Sequence, residues 1–494
     1  MSATRFFGII LFSIGSAIAI TTDLWSYSNI TPNDPYPMFS ARYPYDFLTL
    51  NYREYLKGNN PDDKSNYFSA SVSPYFQSAG DGKDCENRRV ELGDIHGRWN
   101  MLAIFYDPVV RNKLISDLAL TFTDSCFSLL STPTTTDPNK EFGFYSVPIK
   151  YRKYGGRVEL DFKAACDWGL KIQTGVVDLK QTVSFRDRTC EAQGKLCDCH
   201  TQADGDCAAI TEITPGCDIT QFTCHCKRDV ITQIMERNQR KKIAKILGLN
   251  IDSSCNQGVE DLYFTLYWRK VIPVNQKLED WPYFLFMPFA AFEAIAPISR
   301  EVDPNCLFVL PTGNNGHAGL GFSGGLHFDF VETIEFGVEG SMTYFLKRNY
   351  FDAPVPTQEL NAGMFPYKAD YTMRPGVNWT VSGVVNAYHF LDRLSMYAQF
   401  VAIGHCASKF WNPNDHDLPI VAHQFDSVNP NEAIPEVLTC KMVEMSKWQS
   451  HVINVGFTYD ISPNVALGFL WQAPVYQKSA YRATTLMGSV IVTL

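Results

Sequence analysis

The strongest pattern in the chain is a pair of long alternating segments at residues 317–347. In the first segment apolar side chains from Ala318 to Phe330 alternate with small or polar ones, and Ile334 to Leu346 do the same in the second. Alternation with a period of two predicts a β-strand with one apolar and one polar face. Each segment has about 13 residues, so a strand tilted by about 45° would cross a hydrocarbon layer of roughly 30 Å. The pair predicts a membrane-spanning hairpin, with a long hairpin of a soluble sandwich as the alternative.

The same alternation recurs along the chain from about residue 65. Residues 97–106 are apolar on both faces and give a weaker signal. The clearest further segments are 68–76, 118–122, 157–163, 168–176, 261–269, 378–387, 394–402, 453–459, 465–471 and 486–494. Together they predict about 14 strands, within a range of about 12–16, and an even number would bring both chain ends to one rim of a barrel.

The connections between these segments alternate in length. Tight turns are expected near 163–167, 331–334, 391–394 and 460–464, and long connections at 124–155, 178–258, 296–315, 348–374 and 407–447. Short turns at one rim and long loops at the other are typical of single-chain outer-membrane barrels, whereas a soluble sandwich has no reason to sort its loops. We therefore predict an all-β fold, a transmembrane antiparallel up-and-down β-barrel over residues 65–494, with a cysteine-rich external loop inserted at 178–258.

The N-terminus has the pattern of a secretory signal. Arg5 precedes an apolar stretch at 6–14, and Ala17 and Ala19 provide a small-x-small cleavage pattern. We predict a signal peptide over residues 1–19, with a retained anchor helix as the alternative. Residues 20–64 are rich in Pro, Tyr, Asn and Asp, and we expect a periplasmic leader or a plug segment there.

Composition and charge narrow the range of partners. Only 19% of the 494 residues are charged, and the formal net charge of −9 argues against nucleic acid as a partner. No apolar run of about 20 residues follows the N-terminal segment, so no internal transmembrane helix is predicted. The expected partners are the lipid bilayer of an outer membrane and small solutes, with a homo-oligomer or disulfide-linked envelope proteins as further candidates.

The export signal, the repeated strand pairs, the tight turn at 459–464 (YDISPN) and a chain that ends inside a strand resemble bacterial outer-membrane β-barrels, in particular porin-like proteins. The resemblance is architectural, covers about residues 65–494, and implies a location in the bacterial outer membrane. Such proteins often end in an aromatic residue, whereas this chain ends in Leu494. Its cysteine content is similar to that of the major porins of intracellular bacteria, whose envelopes are cross-linked by disulfides.

Cysteines are concentrated in the longest predicted loop. An exported chain with 14 cysteines is expected to form disulfides. The candidates are Cys190, Cys197, Cys199, Cys207, Cys217, Cys224 and Cys226, followed by Cys255 where the loop ends. Seven is an odd number, so one partner must lie elsewhere in the chain, with Cys255 as the candidate, or on another molecule. The alternative is a metal site at residues 197–200 and 224–226, but the C-x-C spacing is tighter than that of zinc sites.

The same loop contains the best helix candidate of the chain, at residues 228–248, where apolar residues recur at helical spacing. Its basic run from Arg237 to Lys245 is expected to be a solvated helix face, with contact to anionic sugars or lipid as the alternative.

Several charged residues fall on the polar faces of predicted strands at membrane depth. A charge on the lipid side would cost about 2–4 kcal/mol near the midplane, so these side chains must face the lumen. The predicted pore-lining residues are Arg157, Glu159, Asp161, Lys163, Lys171, Arg269, His327, Asp329, Glu335 and Glu339. Their mixed signs would make either a hydrated pore wall or a network of ion pairs that blocks it. A barrel of about 14 strands is wide enough that side chains alone need not fill it, so a pore is expected unless a segment plugs it.

No chemistry of bond breaking is indicated. Residues 321–325 match the G-x-S-x-G pattern of hydrolases, but the alternation runs straight through Ser323 into Leu326 and Phe328, without the turn and helix that the motif requires. We therefore expect no enzyme, cofactor or metal site. The leading hypothesis is a porin-like channel for diffusion of small solutes across the outer membrane. The alternative is a surface-exposed structural or adhesive barrel protein cross-linked by disulfides.

Overall fold

The computed structural model describes residues 68–97, 99–100, 104–105, 107–118, 144–163, 167–187, 237–274, 284–330, 334–358, 363–391, 393–416, 418–423, 435–462 and 464–493. The predicted signal peptide, the segment at 20–64 and the seven cysteines at 190–226 lie outside these residues, so the predictions for them stand as predictions.

The described chain is mostly β-structure. Its strands are β1 (Phe68–Lys83), β2 (Arg89–Glu91), β3 (Trp99–Asn100), β4 (Phe144–Ser146), β5 (Ile149–Lys163), β6 (Trp168–Val183), β7 (Arg186–Asp187), β8 (Ser254–Val259), β9 (Leu262–Arg269), β10 (Ile272–Val274), β11 (Phe284–Ala296), β12 (Gly319–Phe330), β13 (Ile334–Phe345), β14 (Arg348–Val355), β15 (Tyr367–Arg374), β16 (Asn378–Leu391), β17 (Leu394–His405), β18 (Lys409–Trp411), β19 (Trp448–Ser462), β20 (Val465–Lys478) and β21 (Ala480–Thr493). Its helices are α1 (Pro108–Leu118), α2 (Arg237–Ile246) and α3 (Thr439–Met445), with a 3₁₀ turn at Leu92–Asp94.

Twelve antiparallel spans close into a barrel. The order around the wall is β1, β5, β6, β8 with β9 as one span, β11, β12, β13, β16, β17, β19, β20 and β21. The wall closes because β21 also pairs with β1, with Thr493 opposite Ser69. The predicted membrane hairpin is confirmed as β12 and β13, which pair from Gly319–Phe345 to Phe330–Ile334. Twelve lies at the lower end of the predicted range, and the best figure of fourteen was too high.

Two of the extra predicted strands are accounted for by other structure. Leu118, expected to begin a strand at 118–122, is the last residue of helix α1. The described residues within 97–106 include the two-residue strand β3, which pairs with β4 outside the barrel. Both segments belong to the first long connection rather than to the wall.

The predicted sorting of loop lengths is confirmed, with two exceptions, one of which is the connection 270–283 between β9 and β11, which lies at the short-turn rim and contains β10. Four turns at one rim, at 164–167, 331–333, 392–393 and 463–464, are short, and the chain enters β1 and leaves β21 at this same rim. The long connections 84–148, 184–253, 297–318, 346–377 and 406–447 meet at the other rim. The other exception is the β20–β21 turn at the long-loop rim, where Ser479 alone joins the strands with a φ of 51°.

The two faces of the wall differ as the alternation predicts. Large apolar side chains face outward, and Val176, Phe322 and Val338 are each 62% exposed. Polar side chains of the same strands, such as Ser71, Glu159 and Asn454, are buried on the inner side. A closed barrel with an even number of strands and an apolar outer band is the architecture of an outer-membrane protein. The resemblance to bacterial outer-membrane barrels, and the localisation it implies, are confirmed by this fold.

The five long connections fold together over the barrel, in a unit we call the loop cap. One cluster of buried apolar side chains takes residues from every long connection, including Tyr145, Leu247, Phe308, Tyr371 and Met442. The same cluster includes the inward-facing side chains at the loop ends of four barrel strands: Ala79 of β1, Tyr151 of β5, Leu179 of β6 and Tyr481 of β21. The cap therefore reaches into the mouth of the barrel and packs against its inner wall.

Helices contribute to the cap only. The helix predicted at 228–248 is confirmed over its described part, where Ile243 and Ala244 of α2 are buried in the cap and Lys241, Lys242 and Lys245 are exposed. Among the residues that the structure describes, no helix is long and apolar enough to cross a membrane.

Candidate functional site in the barrel interior

The inner wall of the barrel has a charged half and an uncharged half. In the described barrel spans, buried Lys, Arg, Asp and Glu side chains occur only between β5 and β13. The six neighbouring strands from β16 through β21 to β1 bury amides, hydroxyls and apolar groups instead, for example Gln77, Gln399 and Thr485. A solute inside the barrel would meet ion pairs on one side and neutral hydrogen-bonding groups on the other.

A bulge between β8 and β9 places two acidic residues inside the wall. Val259 and Tyr263 are four residues apart in sequence, whereas their pairing partners on β6, Val176 and Gln173, are three residues apart. The extra residue breaks the alternation, so the consecutive residues Glu260 and Asp261 are both buried. Asp261 accepts hydrogen bonds from the backbone N–H groups of Ser299 and Asn314 at 3.0 and 2.5 Å, which ties the third long connection to the wall.

Glu260 is the centre of a cluster of four side chains. Arg157 donates to Glu260 from Nε at 2.7 Å and from Nη2 at 3.2 Å, and Lys153 Nζ is 2.9 Å from Glu260 Oε1. Tyr75 reaches the same carboxylate from β1, with its hydroxyl donating over 2.8 Å. All four side chains are buried. The cluster joins three wall spans from the inside.

Two further charge contacts lie nearer the turn rim. Lys171 Nζ is 2.8 Å from Glu159 Oε2, and the Tyr267 hydroxyl donates to Asp161 over 2.8 Å. Arg269 and Asp329 are also buried on the inner side. Charges that are removed from water in this way are stable only with such partners.

His327 lies between two carboxylates on the opposite part of the charged half. Its Nδ1 contacts Glu335 Oε1, and its Nε2 is 3.0 Å from Glu339 Oε1. Because carboxylates accept hydrogen bonds, either both ring nitrogens carry a proton or one of the carboxyls does. Asn386 donates to Glu335 over 2.9 Å, and Ser382 donates to Glu339 over 3.0 Å.

A chain of hydrogen bonds, which we call the amide belt, lines the uncharged half. It runs from Tyr151 through Gln77, Thr485, Gln472 and Asn454 to Gln399, with each group donating to the next over 3.0–3.1 Å. Gln399 then donates to Ser382 over 3.2 Å, which connects the belt to the His327 cluster. The belt holds six strands in register through their side chains as well as through their backbones.

The predicted pore-lining residues fall where the alternation places them. Arg157, Glu159, Asp161, Lys171, Arg269, His327, Asp329 and Glu335 are buried on the inner side, while Lys163 and Glu339 are half-buried. That they line a conducting pore remains a prediction. Sequence reasoning missed Lys153, whose strand extends further toward the loops than expected, and Glu260, which the bulge turns inward. Tyr75 falls within the predicted segment 68–76, but no role was assigned to it. The adjacent pair Glu260-Asp261 at the start of an alternating segment was the available signal.

The remaining sequence candidates lie outside this interior cluster. Ser323 is in the middle of the continuous strand β12, opposite Ala291 and Ser341, so the turn that a hydrolase nucleophile needs is not formed there. Cys85, Cys255, Cys306, Cys406 and Cys440 are free thiols on the loop side of the barrel, and burial raises the pKa of Cys85 and of Cys306. Within the described residues no group of three His, Cys, Asp or Glu side chains could hold a metal ion.

Comparison with known proteins finds similar barrels but no related sequence. No protein-family model and no curated protein matches the chain. An outer-membrane channel from Pseudomonas putida F1 is 8% identical, with 88% of this chain and 98% of that one covered at a TM-score of 0.43. The translocator domain of the autotransporter NalP from Neisseria meningitidis is 7% identical (90% and 95% covered, TM-score 0.30). The toluene transporter TbuX of Ralstonia pickettii is 8% identical (87% and 90% covered, TM-score 0.30). At these sequence identities and TM-scores the structural likeness says nothing about the function of this barrel.

Proposed function

We propose that this outer-membrane barrel is a channel through which small polar solutes diffuse across the membrane. The observation that supports the proposal is the inner wall, which carries ion pairs on one half and the amide belt on the other. A barrel that served only as an anchor could fill its interior with apolar side chains, which need no partners. Polar groups that face inward are what a hydrated passage requires.

The loop cap implies that this passage is gated. Because apolar side chains of all five long connections pack into the mouth of the barrel, a solute can enter only where the cap opens or leaves a gap beside it. We therefore expect brief or rare openings rather than the steady conductance of an open pore.

Single-channel recording of the refolded mature chain in a planar bilayer tests the proposal. Discrete current steps are expected, and Glu339→Lys should shift their ion selectivity toward anions, because Glu339 is the least buried of the inner carboxylates near His327. Asp252→Lys makes the same charge change on an exposed loop and is the matched control. A heat-modifiable barrel that inserts into the bilayer but shows no steps under any voltage would contradict the channel.

The second candidate function is a structural or adhesive surface protein with the barrel as its anchor. The loop cap over the mouth favours it, and so does the position of the five described cysteines on the loop side. Intermolecular disulfides on a non-reducing gel, together with absence of conductance, would support this function against the first. We propose no enzymatic activity for either case.

A further inference from the structure

The Glu260 cluster contains more positive than negative formal charge. Lys153 and Arg157 both contact Glu260, which is the carboxylate they share. The next inward-facing carboxylate of β5, Glu159, is in contact with Lys171 instead. Two cations in contact with one carboxylate leave a net positive charge within this cluster, and such a local charge is unfavourable away from water unless another anion is present for part of the time.

Arg157 also has a donor that is not used. Its Nε and Nη2 donate to Glu260, but Nη1 is buried and has no hydrogen-bond partner in the protein. The Arg157 side chain is 7% exposed. Buried donors without partners are rare in folded proteins, and a guanidinium presents its donors in the geometry that carboxylate and phosphate oxygens fit.

The site is built rather than accidental. The ring of Tyr75 lies over both cations, with its centroid 5.4 Å from Lys153 Nζ and 5.2 Å from Arg157 Cζ. Gly155 makes room for that ring, because a Cβ at this position would lie 2.4 Å from it. Tyr75 therefore fixes the spacing of the two cations, and its hydroxyl fixes Glu260 between them.

The position of the site suits a solute that enters from the loop side. Tyr151, two residues before Lys153 on the same inward-facing row, belongs to the core of the loop cap. Lys153 and Arg157 thus form the first charged level beneath the cap. Any solute that passes the cap on this side reaches these two residues before the Glu159–Lys171 pair.

We propose that Lys153 and Arg157 form a binding site for small oxyanions, that is, solutes with a carboxylate or phosphate group. Glu260 is the resident counter-charge, and an oxygen of the solute accepts a hydrogen bond from Arg157 Nη1. This site rests on the proposed function, since the solute must enter the barrel to reach it. No covalent step is involved, and binding is reversible.

Reversal potentials in a potassium acetate gradient test the site in the open channel. Glu260→Gln keeps both cations and removes their counter-charge, so the permeability ratio of acetate to potassium should rise by about threefold or more, the effect of one charge at close range in water. Arg157→Gln should lower that ratio. The double variant Lys241→Gln/Asp252→Asn removes an exposed pair of opposite charges on the cap and should leave the ratio unchanged. Ratios equal to that of the unmodified channel in all variants would overturn the site while leaving the channel intact.

A second measurement separates this inference from the proposed function. The temperature at which the folded barrel loses its heat-modifiable gel mobility is compared in potassium phosphate and in potassium chloride of equal ionic strength. Phosphate should raise this temperature more in Glu260→Gln than in the unmodified protein. The increase caused by phosphate should vanish in Arg157→Gln and persist in the double variant. If no variant conducts, the channel proposal fails, yet this result still decides the site. An identical effect of phosphate on this temperature in every variant refutes the proposed oxyanion site.

Discussion

The attachment of the loop cap to the barrel should depend on pH through one histidine. His317 lies where the third long connection enters β12, and its side chain is buried. Its Nδ1 is 2.8 Å from the carbonyl oxygen of Leu346, and its Nε2 is 2.9 Å from the Tyr350 hydroxyl. Because a carbonyl only accepts, Nδ1 carries the hydrogen and Nε2 accepts from Tyr350. The site therefore fits the neutral ring. Burial lowers the pKa of His317 to about 4, with a further decrease from the nearby charge of Arg348 that the Leu346 hydrogen bond opposes.

The free energy that His317 contributes to cap closure follows from the difference in its pKa between the closed and the opened cap. An exposed histidine has a pKa of about 6.5, so a decrease to about 4 corresponds to roughly 3 kcal/mol at about 1.4 kcal/mol per unit. The pKa is lower in the folded state, so the opened state binds the extra proton. The contribution of His317 is complete above about pH 6.5, is lost as the pH falls from there to about 4, and does not change below that.

Native-state proteolysis of the refolded protein at a series of pH values measures the free energy of cap opening. In His317→Gln an uncharged amide can donate to Leu346 and accept from Tyr350. The free energy of cap opening should therefore lose the pH dependence that His317 causes between pH 6.5 and pH 4. His416→Gln, at an exposed histidine of the fifth long connection, is the matched control for the substitution itself. A His317→Gln protein with the same slope as the unmodified chain would refute the assignment.

Three further predictions test the wall and the cap. Gly155→Val should displace the Tyr75 ring and reduce the yield of heat-modifiable barrel, whereas Gly156→Val, whose Cβ has no atom within 4 Å, should refold normally on the same gel. Val338→Arg puts a charge on the lipid face and should cost about 2–4 kcal/mol in the free energy of folding into vesicles, measured by urea titration, with Val338→Leu as the neutral control. Leu114→Ala leaves a cavity in the cap that should cost about 2–5 kcal/mol and lengthen channel openings in bilayer recordings; unchanged open times would argue that the cap does not gate.

The wall of the barrel could be predicted from the sequence because its signal is local. Alternation along Gly319–Phe345 needs only the rule that successive side chains of a strand face opposite sides, and the same rule placed Glu335 and Asp161 inside. The strand count was less secure, since Leu118 has apolar neighbours at spacings that fit a short strand as well as the end of a helix. Periodicity alone does not separate these two for a short segment.

The interior contacts could not be predicted because they depend on pairing between distant strands. Nothing local shows that Tyr75 and Glu260 meet, since the contact requires the order of strands around the wall and a bulge at one position. The loop cap was also missed. Its apolar residues, such as Phe308 and Tyr371, lie in segments without a common period, and they form a core only when five connections come together. Over the described residues an apolar core holds the loops together, while the prediction of disulfides at 190–226 concerns residues outside them.

The shared core of the loop cap has a consequence for how this surface can vary. In a barrel whose loops are independent, one loop can be lengthened, shortened or exchanged with an effect confined to that loop. Here each long connection supplies side chains to a core that the other four also need, so a deletion in one of them exposes apolar surface in all. Variation is therefore expected at the cap's exposed turns, while grafting a foreign loop onto this barrel would require the whole cap to be transferred as one unit.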